Sequence, residues 1–244
     1  MTPRLSLLAP TALLAASALL LSACSSGGES TNDESAAAGS AEATASAGTA
    51  TEAAAPGQAS VIAAFYPLEY AARAIGGDTV SVTSLTPPGA EPHDLELSAA
   101  QVAEIAGADL VLYVKGFQPA VDEAVEQQAA DRAIDLSEGL TLLAGEEHGH
   151  EGEDDHAEED GHAGEEATDP HVWLDPANMA AIGATIADRL ATLTPERAAD
   201  IEAAGAAFEA DMAALDAEYT AGLATCASRD LVVSHEAFGY LAEA

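Results

Sequence analysis

An α/β fold on a parallel sheet is the class this sequence predicts, from three features. Short apolar runs alternate with helical stretches, proline or capping residues open the helices, and glycines close them. Val61–Phe65 is wholly apolar and reads as a buried strand. Pro67 to Ile75 follows as a short helix that stops at Gly76 and Gly77. Val80–Leu85 is a second strand. Ser98 and Gln101 have capping-box spacing and open a helix that ends at Gly107. Asp109–Val114 is a third strand and Pro119–Ala130 a third helix. Asp175-Pro176 and Thr194-Pro195 each set a capping residue before proline at the first helical position. They start helices over 176–192 and 195–223. The second carries Ile201, Phe208, Met212, Leu215 and Tyr219 at helical spacing. It would span about 43 Å, longer than one small lobe needs. Leu231–Ser234 reads as a further strand, and Glu236 onward as a further helix.

Ahead of this body lie two segments of other composition. Residues 1–23 hold Arg4 and then an apolar stretch interrupted by Pro10, Thr11 and Ser17, too short for a bilayer span and suited to an export signal. The run Leu21-Ser22-Ala23-Cys24 resembles a bacterial lipobox, which makes Cys24 the expected site of lipidation and membrane attachment. Residues 24–59 are mostly Ser, Gly, Ala, Thr and Glu, without periodicity. That composition buries too little apolar surface to fold and serves as a flexible tether.

The formal charge of −35 is spread along the chain. Residues 25–59 carry five acids and no base, and residues 146–166 carry eleven acids and no base. So acidic a surface argues against nucleic acid and anionic membrane surfaces as partners, and makes cations the natural counterpart. Solubility alone would also account for the charge.

Seven histidines fall into two sets. His148, His150, His156 and His162 lie in the acidic insert 146–166. They act either as a loose auxiliary metal collector or as bystanders on a solvated loop. His93, His171 and His235 stand singly, each in a loop beside a strand or at its end. His93 follows Pro87-Pro88-Gly89-Ala90-Glu91-Pro92, where prolines preset the loop direction. His171 lies between two Asp-Pro pairs, next to the only Trp, Trp173. A lone histidine is more often structural than a ligand. Three at the carboxyl side of a parallel sheet, where such folds bind ligands, point to a metal. Neutral imidazole suits zinc, copper, nickel and iron, and three imidazoles with one further ligand make a tetrahedral zinc site. Separations of 78 and 64 residues do not by themselves show convergence.

The runs Gly89-Ala90-Glu91-Pro92-His93-Asp94, Asp169-Pro170-His171-Val172-Trp173-Leu174-Asp175-Pro176 and Ser234-His235-Glu236-Ala237-Phe238-Gly239-Tyr240-Leu241 resemble three ligand motifs of the zinc-type solute-binding proteins of ABC transporters. The likeness covers residues 60–244, with the motifs in family order. It implies a two-lobed metal solute-binding fold with a long rigid connecting helix. On that reading 60–194 is the N-terminal lobe with its insert, 195–223 the connecting helix, and 224–244 the start of a second lobe that is truncated in this chain. It implies Zn2+ as cargo, held by His93, His171 and His235, and an ABC membrane permease as partner to a monomeric, lipid-anchored protein outside the cytoplasm. Manganese binders of the family usually place Glu at the third position, and His235 matches the zinc branch. A fourth ligand from the second lobe, or Glu91 displaced from the first histidine by Pro92, completes the expected set. The resemblance also gives Cys226 a disulfide partner in the second lobe, with a buried free thiol as the alternative.

Two other function classes compete. A zinc hydrolase would suit three histidines and a water, with Glu236 as base, yet the chain has no HExxH and no Gly-x-Ser-x-Gly elbow. A non-enzymatic binder is expected. A lipoprotein that binds manganese or another divalent metal, or a surface adhesin of the same fold, is the remaining alternative.

Overall fold

The computed structural model describes residues 57–145 and 168–244. The signal segment, almost all of the tether and the insert lie outside these residues, and with them Cys24, His148, His150, His156 and His162. Four parallel strands form one sheet in the order β2-β1-β3-β4: β1 (Ala59–Ala63), β2 (Val80–Ser84), β3 (Leu110–Tyr113) and β4 (Ala133–Asp135). Consecutive residues Val61, Ile62 and Ala63 in β1, and Leu110, Val111 and Leu112 in β3, are all buried. Since successive side chains point to opposite faces, both faces of these central strands are covered, which is why the two runs are apolar without alternation.

Topology explains which helices cover which face. The chain moves one way across the sheet from β1 to β2, then returns past β1 to β3 and continues to β4. Right-handed crossovers therefore put α1 (Tyr66–Gly76) on one face and α2 (Ala99–Gly107) and α3 (Pro119–Gln128) on the other. Contacts agree: α2 packs on α3, while α1 packs on α4 (Pro176–Leu193) and α5 (Ala198–Leu223). The order reverses beside β1, so the crevice for a ligand opens past the carboxyl ends of β1 and β3.

The helix starts at Ser98 and Asp175 follow their sequence signals closely, and the one at Thr194 does not. Ser98 and Gln101 form the reciprocal capping box, and the Asp175 carboxylate accepts the Ala177 amide at 2.8 Å. Thr194 instead turns its hydroxyl back to donate to the Leu190 carbonyl, closing α4. Pro195–Arg197 then form a 3-10 turn, and α5 starts at Ala198. Helices α4 and α5 approach closely because Gly183 leaves room for the Phe208 ring and Gly205 for the Ala187 methyl. Ile201 and Phe208 are buried there. Leu215 and Tyr219 farther along α5 are exposed, so its apolar stripe is only half used among the described residues.

Three elements differ from the sequence reading. Leu231–Ser234 is not a strand: Leu231, Val232 and Val233 are exposed, and none of the four strands pairs with them. β-Propensity reports fit to a pleated, half-buried surface, and without a neighbouring strand it has nothing to act on. The last helix, α6 (Gly239–Glu243), begins three residues after Glu236 and has no side-chain cap. Strand β4 was not foreseen, because three half-buried residues carry no readable period. No helix among the described residues is long and apolar enough to cross a membrane.

The close helix pair sets an expectation for stability. Gly183→Val drives a branched side chain into the Phe208 ring and should lower unfolding free energy by about 1–3 kcal/mol, as overpacking does. Urea unfolding followed by circular dichroism measures it, and an unchanged midpoint contradicts the packing described.

Candidate metal centre

Three loops deliver one imidazole each to the same point. The Nε2 atoms of His93 and His171 lie 3.2 Å apart, those of His93 and His235 3.3 Å, and those of His235 and His171 3.1 Å. They are the one group of three or more His, Cys, Asp or Glu side chains, among the described residues, spaced to hold a metal ion.

His93 hangs on the loop after β2, and Gln118 fastens that loop from behind. The buried Gln118 amide donates to the Pro92 carbonyl at 2.9 Å and to the Thr86 hydroxyl at 3.0 Å, and Thr86 donates to the Ala64 carbonyl at 2.8 Å. The loop is thereby tied to the carboxyl ends of β1 and β3. His171 is itself buried. Asp169 takes both its backbone amide, at 2.9 Å, and its ring Nδ1, at 2.7 Å, on one carboxylate oxygen. A carboxylate here only accepts, so Nδ1 carries the proton and the neutral ring offers its Nε2 lone pair to the centre of the triangle. His235 is exposed. Its segment is pinned by the Ala237 amide on the His235 carbonyl at 3.0 Å and by the buried Tyr240 in α6.

Beneath the triangle lies an aromatic floor. Phe65, Phe117 and Trp173 meet pairwise with ring centroids 4.5–4.7 Å apart, at the ends of β1 and β3 where the sheet order reverses. His93 stands edge-to-face on Phe117 at 4.6 Å, and His171 lies 5.3 Å from Trp173. The floor excludes water from one side and limits ring rotation.

This triangle cannot satisfy itself. His171 Nε2 bears a lone pair, so His93 and His235 could each donate to it only by turning their own Nε2–H groups towards each other. A cation at the centre satisfies all three lone pairs at once. A tetrahedral zinc ion at about 2.0–2.1 Å from each nitrogen requires nitrogens roughly 3.3–3.4 Å apart. The observed 3.1–3.3 Å fits with almost no movement.

Burial lowers the His93 pKa from 6.5, and His171 and His235 lower it further, while Glu91 and Asp94 oppose. The ring thus keeps its ligand form into mildly acidic solution. Glu91 turns its carboxylate to the His93 backbone amide, at 3.3 Å, and not to the triangle. Cys226 is an exposed free thiol, so the buried-thiol alternative is wrong: the tail around it has almost no packing partners among the described residues. Gln118, the aromatic floor and the Asp169 carboxylate had not been singled out from the sequence. Only Asp169 left a local signal, the two-residue step to His171 that lets an aspartate cap the amide ahead of it.

The His93 shift has a definite sign. Between its lowered value and 6.5 the unfolded chain binds more protons at this site than the folded one. The associated stability is therefore complete above 6.5 and lost as pH falls through that window. Metal-free protein should melt at progressively lower temperature from pH 7 to pH 5, and His93→Gln should flatten that dependence. Equal slopes for both proteins would contradict this electrostatic account.

Comparison with known proteins agrees with the geometry. Residues 61–244 match the family described as zinc-uptake complex component A, periplasmic. The zinc-binding protein AdcA of Streptococcus pyogenes is 31% identical over 196 residues, covering 77% of this chain and 38% of that protein. The zinc-binding lipoprotein AdcA of Streptococcus pneumoniae is 33% identical over 192 residues, covering 77% and 37%. The chain thus spans well under half the length of these relatives. Among solved structures, Zn(II)-bound AdcA from Streptococcus pneumoniae superposes with a TM-score of 0.64 at 28% identity, over 76% of this chain and 37% of that one. ZnuA gives 0.66 at 29%, over 76% and 68%. The laminin-binding protein of Streptococcus agalactiae, titled a bifunctional protein with adhesin and metal transporting activity, gives 0.61 at 27%, over 76% and 64%. With three quarters of its length matched and three imidazoles converging in the crevice of its sheet, this chain belongs to the zinc-uptake component A family of metal solute-binding proteins.

Proposed function

We propose that this chain captures Zn2+ outside the cytoplasm through His93, His171 and His235, as the solute-binding component of an ABC importer, and passes it to a membrane permease. The observation that carries the reading is the triangle of Nε2 atoms 3.1–3.3 Å apart, which matches the ligand spacing of tetrahedral zinc. Three imidazoles favour zinc over manganese, which prefers oxygen ligands. No covalent chemistry is required, and the protein acts as a binder and not as an enzyme. Relatives named as zinc-binding proteins and lipoproteins support the cargo and a lipid anchor at Cys24.

The same reading keeps residues 1–23 as signal and 24–59 as tether, and gives α5 the part of a rigid connection to a second lobe. The exposed Leu215, Tyr219 and Leu223 supply apolar surface for that lobe. His148, His150, His156 and His162 act as low-affinity auxiliaries. Likeness to the laminin-binding protein supports adhesion as a side role, tested by binding of the chain to immobilised laminin.

Calorimetric titration tests the main reading. One tightly bound Zn2+ per chain is expected, with Mn2+ bound far more weakly at that site. Each of His93→Ala, His171→Ala and His235→Ala should weaken zinc by more than about 100-fold, beyond the usual cost of an outer-shell change. Affinity should also fall between pH 7 and pH 5, since the imidazoles must shed their protons to ligate. Zinc bound equally well by the triple alanine variant would end the proposal.

A further inference from the structure

We propose that Tyr240 is a positioning residue that couples the segment carrying His235 to the loop carrying His171, and so helps set the shape of the metal triangle. The inference rests on the zinc reading above and extends it to a residue outside the coordination sphere.

An incomplete antiparallel ladder joins residues 143–144 to residues 168–169. Ala144 and Thr168 form an isolated antiparallel bridge, and the adjoining Asp169 amide donates to the Leu143 carbonyl at 2.9 Å. A directly opposed antiparallel pair of this kind normally exchanges two such bonds. Here the second is intercepted. The Leu143 amide donates to the Tyr240 hydroxyl at 3.1 Å, and that hydroxyl donates to the Asp169 carbonyl at 2.6 Å. The phenol oxygen is thus inserted into the ladder, completing it and satisfying both backbone groups.

Position gives this insertion its consequence. Tyr240 is buried in α6, five residues after His235. Its acceptor Asp169 is the residue whose carboxylate holds both the amide and the ring Nδ1 of His171. A chain of bonds therefore runs from α6 through Asp169 to the second ligand. Gly239 brings α6 against the same two residues: a Cβ there would lie 3.0 Å from Asp169 Oδ2 and 3.3 Å from Leu143 Cδ1. His235 stands on an otherwise exposed stretch, so this anchor is the main described tie between its segment and the rest of the site. Removing the hydroxyl frees Leu143 and Asp169 either to pair directly or to part, and either movement shifts the carboxylate that orients His171.

The test is a double-mutant cycle on the whole chain, read by zinc titration and by the visible absorption of the Co2+-loaded protein. Tyr240→Phe removes only the hydroxyl and should weaken zinc roughly tenfold, the lower end of what outer-shell changes cost. Asp169→Asn should cost more, and the double variant less than the product of the two, because one residue acts through the other. The cobalt spectrum of Tyr240→Phe should change shape, a signature that simple loss of stability would not produce. Unaltered zinc affinity in Tyr240→Phe, or losses that multiply with an unchanged cobalt spectrum, overturns the inference. Hydrogen exchange of the unaltered protein gives a second reading independent of any variant: zinc should slow exchange of the Leu143 amide, and an unchanged rate counts against the coupling. A wild-type chain that binds no zinc defeats the functional reading itself, whereas wild-type binding with an indifferent Tyr240→Phe defeats only the role of Tyr240.

Discussion

Three imidazole Nε2 atoms within hydrogen-bond distance of one another are a constraint that much of the surrounding structure serves. Like-directed lone pairs repel, and ring N–H groups cannot resolve all three contacts of a triangle. The rings must be held where they would not settle by themselves. Asp169 fixes one tautomer and one ring direction. Phe65, Phe117 and Trp173 limit how the rings turn, and Gln118 holds the loop that presents His93. Together they leave a cation as the partner that meets every lone pair.

The supports are unevenly distributed. The loop carrying His93 is tied through Gln118 and Thr86 to the carboxyl ends of β1 and β3, and His171 is buried and held by Asp169. His235 comes from a stretch whose neighbours Leu231, Val232 and Val233 face solvent, with α6 as its anchor. Few buried contacts mean a low free energy of local opening. Among the described residues, His235 is therefore the least supported of the three histidines. A net charge of −35 raises the local concentration of cations and repels anionic partners.

The sheet was legible wherever apolar runs and helix signals agreed. Val61–Phe65 overlaps β1, which begins two residues earlier at Ala59, Val80–Leu85 and Asp109–Val114 each contain a strand, and the Ser98 capping box and Asp175-Pro176 start helices where the sequence says they should. Legibility failed where an element depends on a neighbour and not on its own residues. Leu231–Ser234 has strand composition but no strand beside it among the described residues, and β4 has a neighbour but too few residues to show a pattern. Thr194 looked like a cap and became a closing bond for α4, because the Leu190 carbonyl lies nearer its hydroxyl than the amides ahead do.

The α/β class, the three histidines and the family to which their motifs belong can be read from the chain, since they are written in local periodicity and in short runs of residues. Folding was needed to show that the three Nε2 atoms meet within 3.3 Å, that Gln118 and an aromatic floor support them, and that a tyrosine hydroxyl completes the ladder beside Asp169. Those facts join residues tens of positions apart. Such distances are fixed by crossover handedness, sheet order and packing, which no single stretch of chain encodes.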